Sequence, residues 1–183
     1  MDQPLVSIIT PSYQQDQFIQ ETIESLLSQD YPNLEHIVID GGLQTHNRNF
    51  AVIQNHLVER FRWVAEKDRR QAHAINKGLA MAKGEIIGWL NSDDTYLPHA
   101  VKKAVSVLDQ NPQWGMVYGK ANYTDDQNHV IGPYPVEPFQ LERLYETCFI
   151  CQPAAFIRKE AFDKVGEIDE SFHFCKDCKF ENA

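Results

Sequence analysis

The sequence predicts an α/β protein with a doubly wound, mostly parallel sheet and helices on both faces. Four apolar runs of strand length, at residues 6–10, 36–39, 61–65 and 86–90, are separated by segments suited to helices. Such alternation is typical of parallel sheets. Each run also ends in residues able to bind a ligand, and in a parallel sheet these ends share one edge.

Helical periodicity predicts the connecting elements. Residues 16–28 carry apolar side chains at helical spacing, and Asp16 suits the N-cap. Residues 71–82 show the same pattern, with Gly84 as the expected stop. A weaker helical pattern covers 49–58, and Pro98 suits the first turn of a helix that runs to Gln110.

The second half has shorter elements and completes the same domain. We expect a strand at 116–119, a hairpin turn at 125–128 and a return strand through 129–131. A proline-rich loop and a short helix at 139–146 follow. A strand at 154–157 and a helix at 159–165, ended by Gly166, come last. The chain shows no repeat and no linker, so we expect one domain over residues 1–183.

Composition restricts the partners. The chain has 183 residues and a formal net charge of −9, without a basic run that could neutralise a nucleic-acid backbone. A phosphorylated small ligand stays compatible with this charge, because a divalent cation can bridge carboxylate and phosphate. No apolar segment reaches transmembrane length, and the first residues lack the features of a signal peptide. We therefore expect a cytoplasmic protein, with peripheral association at the membrane left open.

The strand at 86–90 runs into Asn91, Ser92, Asp93 and Asp94. Two adjacent carboxylates at a strand end can hold Mg²⁺ or Mn²⁺ and can bond a sugar hydroxyl. They can equally cap the helix that follows. The convergence of four strand ends favours the ligand site. Dinucleotide-binding and P-loop glycine motifs are absent from the sequence.

Four cysteines form two C-x-x-C pairs, Cys148 with Cys151 and Cys175 with Cys178, separated by 23 residues. The spacing is longer than in common zinc ribbons, and neither pair has the glycine or proline of a tight knuckle. Two interpretations therefore remain: the cysteines bind a structural zinc ion, or they are reduced thiols in the core or in loops.

Several stretches together resemble a known family. They read VSIITPSYQ, IVIDGG, AINKGLAMAKGEIIGWLNSDD and ICQPAAFIRKEAFDKVGEIDESFHF, within Pro4 to Asp177. The chain is similar to the family-2 glycosyltransferases of the GT-A fold, which are inverting enzymes with nucleotide-sugar donors. The resemblance implies a single domain over 1–183, with a nucleotide-sugar-binding half at 1–112 and an acceptor-side half at 113–183.

The resemblance also implies site residues. Pro11, Ser12 and Tyr13 would cradle the nucleoside, and Asp40 would help to hold the base. Asp68, Asn76, Asn91 and Asp93 would contact the nucleotide sugar. Asp94, together with Asp93, would hold Mn²⁺ or Mg²⁺. Asp177 would act as the general base in catalysis.

Other interpretations of these residues stay open. Tyr13 could be a packed aromatic residue and Asp40 could cap the turn at Gly41-Gly42. Gln152 could line the acceptor side or be a satisfied core amide. His73 could lie at the rim of the pocket or face solvent, and His173 could lie beside the metal or the acceptor. Arg69 or Arg70 could act as a cationic clamp on the diphosphate.

Two departures from the family pattern affect the expected activity. The turn after Gly42 lacks the usual acid, and only six residues follow Asp177, with Lys179 where a second acid often stands. Residues near a free end tend to be poorly ordered. We hypothesise that Asp177 is loosely held, so that activity is low or needs a partner.

Three classes of function follow. The first is an inverting transferase that moves a sugar from a nucleotide diphosphate, with UDP expected, to a hydroxyl of a saccharide, a lipid-linked sugar or a protein. The second is a nucleotide-binding remnant without catalysis. The third is a zinc-stabilised interaction module. The oligomeric state is not predicted.

Overall fold

The computed structural model describes residues 3–15, 17–42 and 60–171. The predicted helix at 49–58 and the Asp16 cap lie outside these ranges. The strands are β1 Val6–Ser12, β2 Leu34–Asp40, β3 Phe61–Ala65, β4 Ile86–Trp89, β5 Met116–Tyr118, β6 Asn122–Thr124, β7 Val130–Pro133 and β8 Ala155–Arg158. The helices are α1 Ile19–Leu27, α2 Gln71–Met81, α3 Ala100–Gln110, α4 Leu141–Leu144 and α5 Lys159–Val165.

Within the described residues, six strands form one sheet in the order β3-β2-β1-β4-β8-β5. Strands β1 to β4 are mutually parallel, as predicted. Strand β8 runs antiparallel to both β4 and β5, which makes the sheet mixed at this side. Strands β6 and β7 pair separately as an exposed hairpin. The carboxyl ends of β1 to β4 therefore meet at one edge.

Strand β1 is central, and all of its seven residues are buried. Its side chains alternate between two helical layers, which explains the continuous apolar run. Val6 and Ile8 pack with α1 and α3 residues on one face. Ile9 packs with Ala74 of α2 on the other face. The expectation of helices on both faces is confirmed.

Three helices differ in their bounds from the predictions. Helix α1 begins at Ile19, with Phe18 at the N-cap position, rather than at residue 16. Helix α3 begins at Ala100, because His99 before it adopts a left-handed backbone conformation with φ of 67°. Helix α4 has only four residues, fewer than the segment 139–146 suggested. None of the helices in the described part of the chain is long and apolar enough to cross a membrane.

Gly84 has a different role from the predicted helix stop. Helix α2 already ends at Met81, with Ala82 in an extended conformation. A Cβ atom at Gly84 would lie 2.6 Å from the Ser7 backbone nitrogen and 2.7 Å from the Leu5 carbonyl oxygen. Gly84 is thus required because the α2–β4 connection crosses β1 at backbone contact distance. In contrast, Gly166 ends α5 with φ of 78°, as predicted.

A histidine is buried in the sheet on β2. The ring of His36 is 4% exposed, and its Nε2 atom lies 2.8 Å from Thr10 Oγ1. The Phe61 ring packs edge-on against it at a centroid distance of 5.2 Å. Burial lowers the pKa of His36 from 6.5 to about 3, so the ring is neutral in the folded state near neutral pH.

Candidate functional site

A cleft of about 590 Å³ opens at the carboxyl edge of the parallel strands. Its size falls within the range of roughly 300–1,000 Å³ that is typical of small-molecule sites. The walls come from the end of β1, the β3–α2 loop and the turn after β4. The lining residues are Pro11, Ser12, Tyr13, Gln15, Asp68, Arg69, Arg70, Gln71, Ala74, Asn91, Ser92 and Asp93.

Six of the predicted nucleotide-sugar residues line this cleft. They are Pro11, Ser12, Tyr13, Asp68, Asn91 and Asp93. Tyr13 is 61% exposed and lines the cleft, so it is not a packed core residue. An aromatic face at the rim of a cleft suits stacking against a planar base.

Asp40 lies at the end of β2, behind the lining. Its Oδ1 atom accepts a hydrogen bond of 2.9 Å from the Gly42 backbone, which is the turn-capping contact considered as an alternative. The neighbouring Gly41 backbone lies directly against Asp68. A Cβ atom at Gly41 would come within 1.9 Å of Asp68 Oδ2. Glycine at position 41 therefore allows the Asp68 carboxylate to occupy its place in the cleft wall.

Asn91 is the centre of a side-chain network on the cleft floor. Its Oδ1 atom accepts hydrogen bonds from Trp89 Nε1 at 2.9 Å and from Gln71 Nε2 at 2.8 Å. Its Nδ2 atom donates to Asp94 Oδ2 at 3.0 Å and to Gln152 Oε1 at 3.2 Å. Gln152 in turn donates to the Trp89 carbonyl oxygen. Gln152 is therefore a satisfied amide that supports the site through Asn91.

The two carboxylates after β4 have different environments. Asp93 is exposed and lines the cleft, whereas Asp94 is partly buried beneath it. Burial is the main cause that raises the pKa of Asp94. The hydrogen bond from Asn91 opposes this shift, and the Asp93 charge adds to it. A cation at Asp94 would neutralise both carboxylates and relieve this unfavourable environment.

The turn after β4 offers two carboxylates, Asp93 and Asp94, as oxygen ligands for Mg²⁺ or Mn²⁺. Among the described residues, no group of three or more His, Cys, Asp or Glu side chains is arranged to hold a metal ion. Ions of this class commonly bind one or two carboxylates and complete their shell with water and substrate phosphates. Asp93 and Asp94 match that partial donor set.

Asn76 is not part of the cleft. It lies on α2 and is 7% exposed. Its Nδ2 atom donates to the Ile168 carbonyl oxygen and its Oδ1 atom accepts from the Ile168 backbone nitrogen, each at 2.9 Å. Through these paired bonds, and a further hydrogen bond to Glu170, Asn76 fastens the segment after α5 to α2.

The two arginines of the β3–α2 loop both line the cleft. The Arg69 guanidinium also forms an ion pair with Glu170, with 2.7 Å between Nη2 and Oε2. His73, one turn into α2, accepts a hydrogen bond of 3.2 Å from the Arg69 backbone nitrogen at its Nδ1 atom. The half-buried His73 thus supports the loop.

A second cleft of about 180 Å³ adjoins the first at Asp93. It lies between α1 and the turn of the β6–β7 hairpin. The lining residues are Phe18, Glu21, Asp93, Thr95, Thr124, Asp125, Asp126 and Asn128. Asn128 donates a hydrogen bond to Glu21, which connects the hairpin to α1.

Some predicted residues lie outside the described ranges. They are the candidate base Asp177, the neighbouring His173, and Cys175 and Cys178 of the second C-x-x-C pair. In the first pair, Cys148 is exposed and Cys151 is buried. The sulfur of Cys148 lies 3.6 Å from the Ile150 carbonyl oxygen.

The sequence did not indicate Gln71 and Trp89 as supports of Asn91, nor Glu170 as the partner of Arg69. Gln71 and Asn91 are 20 residues apart, and Arg69 and Glu170 are 101 residues apart. No local pattern connects such residues, because their contact depends on strand order. The one signal in the sequence was that Gln71 is a polar residue at the start of a predicted helix and close to a predicted strand end.

Comparison with known proteins gives the family. A family model described as Glycosyl transferase family 2 matches residues 7–166. An uncharacterised glycosyltransferase of Rickettsia prowazekii is 27% identical over 189 aligned positions, which cover 95% of this chain and 56% of that protein.

Solved structures give the fold. The mannosyltransferase PcManGT from Pyrobaculum calidifontis, in complex with GDP-Man and Mn²⁺, superposes with a TM-score of 0.69 at 23% identity. That match covers 93% of this chain and 49% of PcManGT. S. aureus TarS 1–349 in complex with UDP-GlcNAc gives a TM-score of 0.72 at 19% identity, with 97% of this chain and 52% of TarS covered.

The expected GT-A fold is confirmed by these structures. The chain spans about half the length of the relatives it matches. The family match covers most of the chain and agrees with the cleft at the carboxyl edge of the sheet. The protein belongs to glycosyl transferase family 2.

Proposed function

We propose that the protein is an inverting glycosyltransferase that uses a nucleotide-diphosphate sugar, with UDP-sugar as the expected donor. The observation that carries this proposal is the 590 Å³ cleft that brings Tyr13, Asp68 and Asp93 together at the carboxyl ends of parallel strands. The nucleotide sugars bound by PcManGT and TarS support a donor of this class.

We assign the nucleoside to the wall formed by Pro11, Ser12 and Tyr13. The Tyr13 ring would stack on the base, and the Asp68 carboxylate would accept hydrogen bonds from the base or the ribose. Asp40 would act behind this wall by fixing the turn that carries Gly41 and Gly42.

We assign the diphosphate to the side of the cleft formed by Asp93 and the arginines. A divalent cation at Asp94, Mn²⁺ or Mg²⁺, would offset the charge of the leaving diphosphate. Asn91 would keep the Asp94 carboxylate oriented, and Asp93 would bond the ribose or the water shell of the cation. Arg69 and Arg70 would add positive charge beside the diphosphate.

The acceptor is proposed to be a hydroxyl of a saccharide, a lipid-linked sugar or a protein. Inversion requires a base that removes the proton of this hydroxyl as it attacks the anomeric carbon. We propose Asp177 for this role because of its position in the family pattern. Replacement of Asp177 by Asn should then abolish transfer and leave donor binding unchanged.

The test is calorimetric titration of UDP and GDP into the protein, with and without Mn²⁺. The Asp94→Ala variant should lose metal-dependent binding, because the buried carboxylate is removed. The matched control is Asp109→Ala, at an exposed position of α3. Transfer is then assayed with a panel of donor sugars and acceptors.

The possible results separate the alternatives. Binding without transfer, repeated with several acceptors, would favour a nucleotide-binding remnant. No binding of any nucleoside diphosphate by folded protein would overturn the proposal. Near-stoichiometric zinc that resists mild chelation would instead favour the zinc-stabilised module.

A further inference from the structure

The segment 167–171 follows α5, and two of its contacts with α2 and the preceding loop differ in character. The first contact is the buried pair of hydrogen bonds between Asn76 and the Ile168 backbone, each 2.9 Å long. Ile168 itself is 2% exposed and packs with Ala72 and Ile75 of α2. Because its polar groups are satisfied inside the fold, this contact is a permanent anchor.

The second contact is the ion pair between Arg69 and Glu170, and it lies at the surface. Both Nε and Nη2 of Arg69 donate to the same Glu170 oxygen, Oε2, at 3.0 Å and 2.7 Å. The Arg69 side chain is 72% exposed. The hydrogen bond from Arg69 is the first cause that lowers the pKa of Glu170, and His73 and a hydrogen bond from Asn76 lower it further, so the carboxylate is ionised at neutral pH.

Arg69 also belongs to the donor cleft, whereas Glu170 is not among its lining residues. The cationic side chains among the described lining residues are Arg69 and Arg70. An anion that enters the cleft therefore meets a guanidinium that is already bound to a carboxylate on the outer side. Glu170 occupies the Nε–Nη2 edge of this guanidinium, so a phosphate can take the paired bonds of that edge only by displacing the carboxylate.

We propose that Glu170 is a positioning residue that competes with the donor diphosphate for Arg69. This inference rests on the proposed function. In the absence of donor, Glu170 holds the guanidinium at the rim. When a diphosphate enters, the Nε–Nη2 edge of Arg69 exchanges onto it and Glu170 loses this ion pair, while Asn76 keeps residue 168 in place and remains a partner of Glu170.

The exchange is physically favourable. An exposed ion pair is weak because water screens it and two long side chains must be ordered. Phosphate oxygens carry more charge than one carboxylate and accept paired hydrogen bonds from a guanidinium. Glu170 would thus set the affinity for diphosphates below the value that Arg69 alone would give.

The test is a double-mutant cycle with Glu170→Gln, Arg69→Gln and the combined variant, with Glu160→Gln as an exposed control on α5. Each protein is titrated with UDP, GDP, inorganic pyrophosphate, uridine and guanosine. Glu170→Gln should bind diphosphates and pyrophosphate about 2- to 5-fold more tightly, as expected for loss of one exposed ion pair. Nucleoside binding should not change.

Comparing the effect of Glu170→Gln in the presence of Arg69 and in the Arg69→Gln variant separates the exchange from a general effect of charge. In the combined variant the gain should disappear, because no guanidinium remains to be released. An equal gain with and without Arg69 would show that Glu170 acts only through its charge, and this would overturn the inference. Unchanged or weaker diphosphate binding by Glu170→Gln would also overturn it.

Failure of the proposed function gives a different result. If folded wild-type protein binds no nucleoside diphosphate and no pyrophosphate, both proposals are wrong. If the wild type binds diphosphates and Glu170→Gln shows no gain, only the competition between Glu170 and the diphosphate is wrong.

Discussion

The Asn91 Nδ2 atom lies 3.0 Å from Asp94 Oδ2, on the floor of the cleft. The orientation of the amide follows from its other contacts. Its oxygen accepts from Trp89 Nε1 and Gln71 Nε2, which are donors, so its nitrogen must face Asp94. The network thereby presents a donor to the carboxylate that we assign to the cation.

Asn91→Ala should weaken metal-dependent UDP binding by about 10- to 100-fold, as is common when a supporting partner of a metal ligand is removed. In the wild type, the hydrogen bond from Asn91 lowers the pKa of Asp94. Without this bond, the pKa of Asp94 should rise further above its ordinary value. Because the ligating form is deprotonated, the pH midpoint of binding should move upward. Titration with Mn²⁺ between about pH 5 and about pH 8 measures this shift. Asn122→Ala, at an exposed position of β6, should behave as wild type.

Asp94→Asn should stabilise the metal-free protein while removing metal-dependent binding. Burial holds the pKa of Asp94 above its ordinary value of 3.8, so the ionised form costs stability at neutral pH. That cost declines as the pH falls through the raised pKa and is gone below the ordinary value of 3.8, so the advantage of the variant should shrink in acid. We expect a gain of about 0.5–2 kcal/mol, the usual range for a single stabilising substitution. Denaturant unfolding without metal is the measurement, and equal or lower stability of the variant would contradict this account.

Gly41→Ala should weaken nucleotide binding with little change in secondary structure. The new methyl group would occupy the place of Asp68 Oδ2, which lies 1.9 Å from the ideal Cβ position. The Asp68 carboxylate would then have to leave the cleft wall. Gly132→Ala is the matched control, because no atom lies within 4 Å of a Cβ at that position. Titration with UDP and circular dichroism compare the two variants, and equal affinities would exclude a role of Asp68 in binding.

His36 should make the protein less stable in acid. Its pKa falls from 6.5 in the unfolded state to about 3 in the fold, so below pH 6.5 only the unfolded chain takes up the proton. The free energy of unfolding should then drop by about 1.4 kcal/mol per pH unit from this residue, until the pH approaches the folded pKa. His36→Gln should show a shallower decline of stability between these limits. His129→Gln removes a contact with Asp125 that is exposed and screened by water, so it should change the slope far less than His36→Gln.

The parallel core could be predicted from local pattern. Strand runs such as 6–10 and 36–39 are apolar on both faces because each lies between two helical layers, and this environment is visible in the sequence itself. The same reasoning located the cleft, since parallel strands place Ser12 and Asp93 at one edge. The antiparallel direction of β8 was not predictable, because a short apolar strand carries no mark of its direction.

Asn76 shows where the family pattern and the geometry differ. The resemblance implied that Asn76 frames the nucleotide pocket, whereas in the structure both of its amide atoms are bonded to the Ile168 backbone. Ile168 is 92 residues away, so this contact appears only when α5 and the segment after it pack against α2.

The sequence by itself determined the strand–helix alternation, the acidic turn after β4 and the family motifs, because these depend on side-chain period and short spacing. The tertiary structure decided which polar groups meet. It brought Gln71 and Gln152 onto Asn91, Asp68 against Gly41, and Glu170 onto Arg69. These contacts join distant parts of the chain, and their geometry is set by strand order and helix packing rather than by any local preference.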